Sequence, residues 1–333
     1  MTGFELYLKN NHKRIDKHLA TYFDGAYGAD LGTFLYGPLA EYTANGGKRH
    51  RPLICMLACE AVGGNPALAV RAGAAIEHFH TAALIHDDIE DGAETRRGEP
   101  AMHMKIGTAL AINAGDLALS LVTGSVVSDD SLDDTTKIRV LRELIDMTTR
   151  TIEGQALDIG WSQAGRFDIS VTDYLDMASR KTAFYSGGMP LAVGAIIGGA
   201  PSETVEILRA FGMAAGLAFQ IQDDIINLVG SDKSKDFRID ITEGKRTLVA
   251  VHALANADRA VRLREILAMH TPDRALIDEA VDIMEQAGSI EYARSYALDL
   301  VTEAKTKLES ALPKSKAKSL LLGMADFFVA RQS

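Results

Sequence analysis

Apolar residues return every three or four positions along nearly the whole chain, as in KIRVLRELIDMTTRTIEGQALDI from Lys137 to Ile159, and sustained alternation with a period of two is hard to find. That spacing lays an apolar stripe along a helix and would scatter the same residues over both faces of a strand, so it predicts an all-α chain. Turn-forming clusters at NGG (Asn45), GGNP (Gly63), SDD (Ser128) and GGAPSE (Gly198) cut it into many helices with short connections. No Ser/Pro-rich linker or low-complexity stretch separates two halves, so residues 1–333 read as a single large helical domain. Several helices, among them the one holding AAIEHFHTAALIHDD, are apolar around most of their circumference and belong at the centre of a large bundle.

Composition narrows the function. Hydrophobic residues make up 47% of the chain and charged ones 24%, enough for a packed core. The formal net charge of -10 argues against nucleic acid or an anionic membrane as partner, so an anionic ligand would need local cations or a metal. Cys55 and Cys59, four apart in an apolar run, predict buried free thiols in a reducing compartment. The stretch MTGFELYLKNNHKRIDK lacks the apolar core of a secretory signal, and MPLAVGAIIGGA (Met189 to Ala200) is too short to span a bilayer. The expectation is a cytoplasmic protein with no transmembrane segment.

Inside this apolar pattern, LIHDDIEDGAETRRG (Leu84 to Gly98) crowds four acids into five positions and then sets two arginines side by side. On a helix Asp87 and Asp91 lie one turn apart on one face, with Asp88 beside them. Two carboxylates about 6 Å apart at an effective dielectric near 20 repel by roughly 3 kcal/mol, so the cluster must face water or be neutralised. DDSLD (Asp129 to Asp133) repeats the spacing among serines and threonines, where an exposed loop with helix-capping acids is the better reading. A third cluster, FQIQDDIINLVG (Phe219 to Gly230), again ends an apolar helix with Asp223 and Asp224, has Asn227 one turn on, and is followed by the cations of KSKDFRIDITEGKRT. Two apolar helices ending in oxygen ligands and followed by Lys or Arg predict a Mg²⁺ and phosphate site.

Together these residues resemble the trans-polyprenyl diphosphate synthase family. The match runs from Gly46 to Thr247 through GGKRHRP (Gly46 to Pro52), DDIED, RRGEPAMH (Arg96 to His103), GQALD (Gly154 to Asp158), Tyr174 before KTA (Lys181 to Ala183), FQIQDDIIN and EGKRT (Glu243 to Thr247). The resemblance implies an isoprenoid-synthase bundle with a central active-site cavity, usually a homodimer, that condenses isopentenyl diphosphate with an allylic diphosphate. It assigns Mg²⁺ to Asp87, Asp91 and Asp223, with Asp88, Asp224 and Asn227 in the same clusters, and the allylic diphosphate to Arg96, Lys181, Lys235 and Lys245. Thr182 and Gln220 would line the reacting carbons, while Lys48, Arg51, His80 and Arg97 would hold isopentenyl diphosphate. Arg331 could help to close the site.

Asn227 stands where many members carry a third aspartate, and an amide lacks the charge of a carboxylate. Ala82 and Ala83, about one turn before Asp87, are small where farnesyl-type enzymes place an aromatic, and Phe79 is a candidate floor one turn deeper. Geranylgeranyl diphosphate is therefore the expected product, with a farnesyl or longer chain as the alternative. A class I terpene cyclase and a non-catalytic partner subunit are the rival readings. GGKRHRP counts against the first and the intact first acid cluster against the second.

Overall fold

The computed structural model describes residues 2–229 and 238–330. Seventeen helices carry nearly all of the described structure: α1 (Gly3–Ala20), α2 (Ala29–Leu31), α3 (Gly37–Ala44), α4 (His50–Ala61), α5 (Val70–Glu90), α6 (Met102–Ile106), α7 (Thr108–Val127), α8 (Asp134–Gln163), α9 (Val171–Ala178), α10 (Met189–Ile197), α11 (Ser202–Val229), α12 (Ile239–Thr242), α13 (Leu248–Asn256), α14 (Ala260–Ala268), α15 (Arg274–Gln286), α16 (Ser289–Ala311) and α17 (Lys316–Ala330). The all-α expectation holds, and helices break at the Asn45, Gly63, Ser128 and Gly198 clusters. One addition is a two-residue antiparallel pair, β1 (Thr95–Arg96) with β2 (Glu99–Pro100), in register Arg96 opposite Glu99. Arg97 and Gly98 between them take positive φ of 55° and 81°, as a two-residue hairpin loop requires.

The chain divides into two compact units. The first comprises Met1–Asp146, Pro190–Glu206 and Pro313–Leu321. Its α5 is buried on several sides: Ala72, Ala75, Ile76, Phe79, Ala82 and Ile85 are all closed to solvent. Small side chains let neighbours approach closely. Ala82 and Ile85 join Ala111, Ala114 and Ala118 of α7 with Leu39 and Met102 in one cluster, and a Cβ at Gly115 would fall on the His86 ring. Cys55 and Cys59 are buried free thiols. The DDSLD stretch is only half as expected. Asp133 caps α8 by accepting from the Thr136 amide at 3.0 Å, but Asp129 is 2% exposed because its carboxylate turns back onto the Ser131 amide and hydroxyl at 3.0 and 2.6 Å.

The second unit comprises Met147–Met189, Ile207–Leu312 and Leu322–Ser333. Its centre is a ten-residue π-helical segment, Ser179–Gly188, which continues α9. Glycines bring this segment against α11: Gly187 meets Gly212 backbone to backbone, and a Cβ at Gly216 would lie 2.7 Å from the carbonyl oxygen of Ala183. On α15, Ile277, Ala280, Val281, Ile283 and Met284 are buried, in keeping with an amphipathic covering helix. Two helices, Thr108–Val127 and Ser202–Val229, are long and apolar enough to cross a membrane, and 39% and 50% of their most apolar windows are already buried within the protein.

His78 on α5 is fully buried, and among the described residues neither ring nitrogen has a hydrogen-bond partner. Burial, with smaller contributions from His18 and Arg49, pushes its pKa down to about 3. Between pH ~6.5, the ordinary imidazole value, and about 3, the unfolded chain binds a proton that the folded one refuses. This contribution is therefore complete at neutral pH and is lost as the solution is acidified through that window, by about 1.4 kcal/mol per pH unit. Denaturant titrations at pH 7 and pH 5 should show His78→Leu losing less stability on acidification than the parent chain.

Candidate active site

The first unit ends α5 with its acids. Asp87 is partly exposed, Asp88 is fully buried, and Asp91 caps the helix with its amide donating to the Asp87 carbonyl at 2.9 Å. The β1–β2 hairpin turns Arg96 back onto them. Its Nε donates to Asp88 Oδ1 at 2.7 Å, its Nη2 donates to the same oxygen, and Nη2 lies 3.7 Å from Asp87. The Tyr42 hydroxyl donates to the other Asp88 oxygen at 3.4 Å. Arg96, expected from the resemblance to grip a diphosphate, is thus tied in this structure to the buried acid, whose charge would otherwise lack a counter-ion.

Arg97 points elsewhere, donating from Nη1 to the carbonyls of Asn45 and Gly46, both at 2.9 Å. It joins a cationic pocket at the start of α4. Gly46 and Gly47 take φ of 74° and 121°, which favours glycine, and a Cβ on Gly47 would lie 3.2 Å from Arg49 and 3.3 Å from Arg97. Arg49, also at positive φ, is consumed structurally: it donates to Asp16 at 2.8 Å, Glu77 at 2.7 Å and the Thr43 carbonyl at 2.5 Å. Lys48 is exposed, while Arg51 is 6% exposed. His80 is held well below the usual imidazole range by burial and then by Arg51, His50, Arg97 and Arg49. Four groups expected to bind one diphosphate, Lys48, Arg51, His80 and Arg97, therefore all belong to the first unit.

The chain-length residues differ in setting. Phe79 is 2% exposed and Ala82 is sealed in the α5–α7 cluster, whereas Ala83 is half-buried. Beside the hairpin is a cavity of about 110 Å³ lined by Pro38, Tyr42, Arg96, Met102 and Lys105, among others.

In the second unit the π-helical segment presents Lys181 and Thr182 between two helices. A Cβ at Gly154 on α8 would fall on the Lys181 backbone, and one turn on, Asp158 accepts an ion-paired hydrogen bond from Lys181 Nζ. Burial alone would raise Asp158, but Lys181 and Lys245 outweigh it and hold the carboxyl below its ordinary value. On the other side, the α11 face that runs from Gly212 through Gly216 continues to Gln220 and Asp224 at successive turns. Thr182 Oγ1 donates to Gln220 Oε1 at 2.6 Å, Gln220 Nε2 donates to Asp224 Oδ1 at 2.7 Å, and the Tyr174 hydroxyl donates to Asp224 Oδ2 at 2.7 Å. Burial and the charge of Asp240 push Asp224 well above the usual carboxylate range, against the lowering effect of Tyr174 and Gln220.

The chain returns at Arg238. Asn227 accepts the Arg238 amide with its backbone carbonyl at 3.1 Å and the Asp240 amide with its side-chain oxygen at 3.3 Å, so it organises α12 as well as following the acids. Burial raises Asp240 to about 6 even with Lys245 4.0 Å away. Lys245 also pairs with Glu243 at 2.6 Å. Next to it, Arg246 donates to the Arg166 carbonyl at 2.6 Å and stacks 3.8 Å over Phe167, pinning the loop. A cavity of about 70 Å³ is lined by Asp158, Lys181, Thr182, Gln220, Asp224, Asp240 and Lys245, among others. Asp240 gave little signal in the sequence because it stands well beyond the acid motif; its only mark was that it lies five residues before Lys245. Lys235 and Arg331 lie outside the described residues. Among the described residues, no three His, Cys, Asp or Glu side chains converge into a closed metal cage.

An all-helical chain with acid pairs on two helix ends and a separate nest of arginines invites comparison with known proteins. The family model described as polyprenyl synthetase matches residues 33–284, and the chain belongs to that family of prenyltransferases. It is 41% identical over 289 residues to the short chain isoprenyl diphosphate synthase of Methanothermobacter thermautotrophicus, covering 86% of this chain and 87% of that one. The crystal structure of a geranylgeranyl pyrophosphate synthetase from Pyrococcus horikoshii superposes with a TM-score of 0.89 at 34% identity, over 98% of each chain. A geranylgeranyl pyrophosphate synthase from Corynebacterium glutamicum, solved with isoprenyl diphosphate and magnesium, gives 0.84 at 26% identity over 98% of each chain.

Because α8 presses on the Lys181 backbone through Gly154, a side chain there must displace the lysine. Gly154→Ala should cost about 1–3 kcal/mol of stability by overpacking. It should also lower turnover in a condensation assay at least tenfold, whereas an alanine at the open, exposed Gly160 of the same helix should leave both nearly unchanged.

Proposed function

We propose that the protein condenses isopentenyl diphosphate with an allylic diphosphate, and that geranylgeranyl diphosphate is its main product. The observation that carries this reading is the presence of two unlike anion environments. One consists of helix-end acids with lysines, suited to a metal-bound diphosphate. The other groups Arg51 and Arg97 about His80, whose imidazole is held well below its usual range by burial and by these arginines, and suits a diphosphate held by protein groups.

The donors fit Mg²⁺. Asp87 and Asp91 at the end of α5 and, on α11, Asp223 and Asp224 are hard carboxylate oxygen donors of the type that suits an ion that keeps waters and completes its shell with phosphates. Burial, and after it the neighbouring acids, raises Asp224 and Asp240, and a cation would offset both effects. When bound, Mg²⁺ would neutralise the allylic diphosphate as a leaving group, and the Corynebacterium relative was solved with magnesium and isoprenyl diphosphate.

The chain's own groups do the rest. Lys181 and Lys245, with Lys235, supply fixed positive charge where negative charge grows during C–O cleavage, Lys181 being aimed by Asp158 and Lys245 by Glu243. Thr182 spends its hydroxyl proton on Gln220, which leaves its oxygen lone pairs for the developing allylic cation. Lys48, Arg51 and Arg97 hold the second diphosphate. His80, kept neutral by burial, adds a hydrogen bond, and the double bond of isopentenyl diphosphate then attacks. The proton released on forming the product is taken by the departing diphosphate.

Purified protein with Mg²⁺, isopentenyl diphosphate and allylic primers should yield a C20 diphosphate. Cyclic hydrocarbon from geranylgeranyl diphosphate alone would favour a cyclase, and no condensation would favour a non-catalytic subunit. Ala83, half-buried and a turn before Asp87, is the position at which the tail can be blocked, whereas an aromatic at the sealed Ala82 would mainly unsettle packing. Ala83→Phe should shorten the product to C15, as read by chromatography of the dephosphorylated alcohols. Unchanged chain lengths refute the assignment. The reading includes a cytoplasmic homodimer: Ile138, Ile145 and Ile152 on α8 are 52%, 57% and 59% exposed at heptad spacing, a stripe that a second copy would cover.

A further inference from the structure

We propose that Glu77 is a positioning residue for isopentenyl diphosphate. Through Arg49 it fastens the turn at residues 46–49 to α5, and so holds Lys48, Arg51 and Arg97 in register with His80. The inference rests on the condensation reading above and goes beyond it, because it gives a role to an acid that cannot itself bind an anion.

A single guanidinium does the fastening. Arg49 Nε donates to Asp16 of α1 at 2.8 Å, Nη1 to Glu77 of α5 at 2.7 Å and Nη2 to the carbonyl of Thr43 in α3 at 2.5 Å. Its own carbonyl accepts the Leu53 amide at 3.3 Å, the bond that opens α4. Four helices therefore meet at one residue. It stands at φ 48°, a conformation that a residue with a Cβ keeps only when its surroundings hold it there. Of the two acids, Asp16 has 42% of its side chain exposed and Glu77 only 3%, so the buried carboxylate is the firmer anchor.

What hangs on this turn is the pocket. Arg97 leans on it by donating to the carbonyls of Asn45 and Gly46, both at 2.9 Å. Arg51 follows Arg49 by two residues, in the first turn of α4. His80 lies three residues beyond Glu77 on the same side of α5, and the cations acting on it are Arg51, His50, Arg97 and Arg49. The pair of Arg49 and Glu77 thus joins the helix that bears the imidazole to the turn that carries or braces the cations. The charges divide the work. Arg49 is already matched by two carboxylates and adds little pull on a further anion, whereas Arg97 bonds to neutral carbonyls and keeps its charge for the diphosphate.

The test is steady-state kinetics of the full chain with Mg²⁺, an allylic primer and isopentenyl diphosphate. Glu77→Gln keeps the volume and removes the charge. KM for isopentenyl diphosphate should rise about tenfold, while KM for the primer and kcat stay within about twofold. Were Arg49 a direct ligand of the diphosphate, releasing it from Glu77 would lower that KM instead. Were the pair only a brace, the melting temperature would fall with both KM values unchanged. Either result in a folded variant overturns the proposal. Should Glu77→Gln not fold, Asp16→Asn slackens the same guanidinium from its exposed side. A rise of about threefold confined to KM for isopentenyl diphosphate is expected there, and an unchanged KM again overturns the proposal. A parent chain that consumes no isopentenyl diphosphate would bring down the condensation reading itself, before any variant is compared.

Discussion

Taking a carboxylate out of water is what the rest of this structure is arranged to compensate. Asp88, Asp158 and Asp224 are each nearly closed to solvent at or near the end of an apolar environment, where an unbalanced charge costs several kcal/mol. Each is resolved differently. Arg96 reaches Asp88 only because a two-residue hairpin reverses the chain, and Lys181 reaches Asp158 only because a glycine on α8 lets the helices touch. Asp224 is held by neutral donors. The elements that look incidental to a helical fold, a tiny hairpin and a π-helical stretch, are those that deliver these partners.

Much of this was legible beforehand. Helix content and breakpoints follow from three-and-four spacing punctuated by glycine and proline, and the acid motifs were visible as crowded charge inside apolar helices. What escaped the sequence has a common physical cause, which is contact between residues far apart in the chain. A two-residue hairpin has no periodicity to detect. Arg49 looks like any other cation of GGKRHRP until Asp16 and Glu77 are seen to bind it. Asp129 reads as exposed among serines, yet it is buried, with one carboxylate oxygen taking the amide and hydroxyl of Ser131 in its own turn. Asp240 joins the second acid cluster only because Asn227 accepts its backbone amide.

Asn227 illustrates how such a tertiary contact changes the meaning of a departure from the family pattern. Read as a missing carboxylate, it weakens a metal site. In the structure its amide oxygen also receives the amide that opens α12, bringing Asp240 and Lys245 back beside α11. Asp240 thus stands near Asp224 as a third acid beside Asp223, and an acid absent from one position reappears at another.

The π-helical stretch from Ser179 to Gly188 has a bearing on how such proteins can change over time. A wider winding sets the residues after it out of phase with those before it, so Lys181 and Thr182 face their partners only while the stretch keeps its length. Loss of a single residue there would let the backbone relax into ordinary α-helix, which the protein could survive as a folded object. The lysine and threonine would nonetheless swing away from Asp158 and Gln220. Descendants carrying such a deletion would persist as well-built shells whose chemistry had gone.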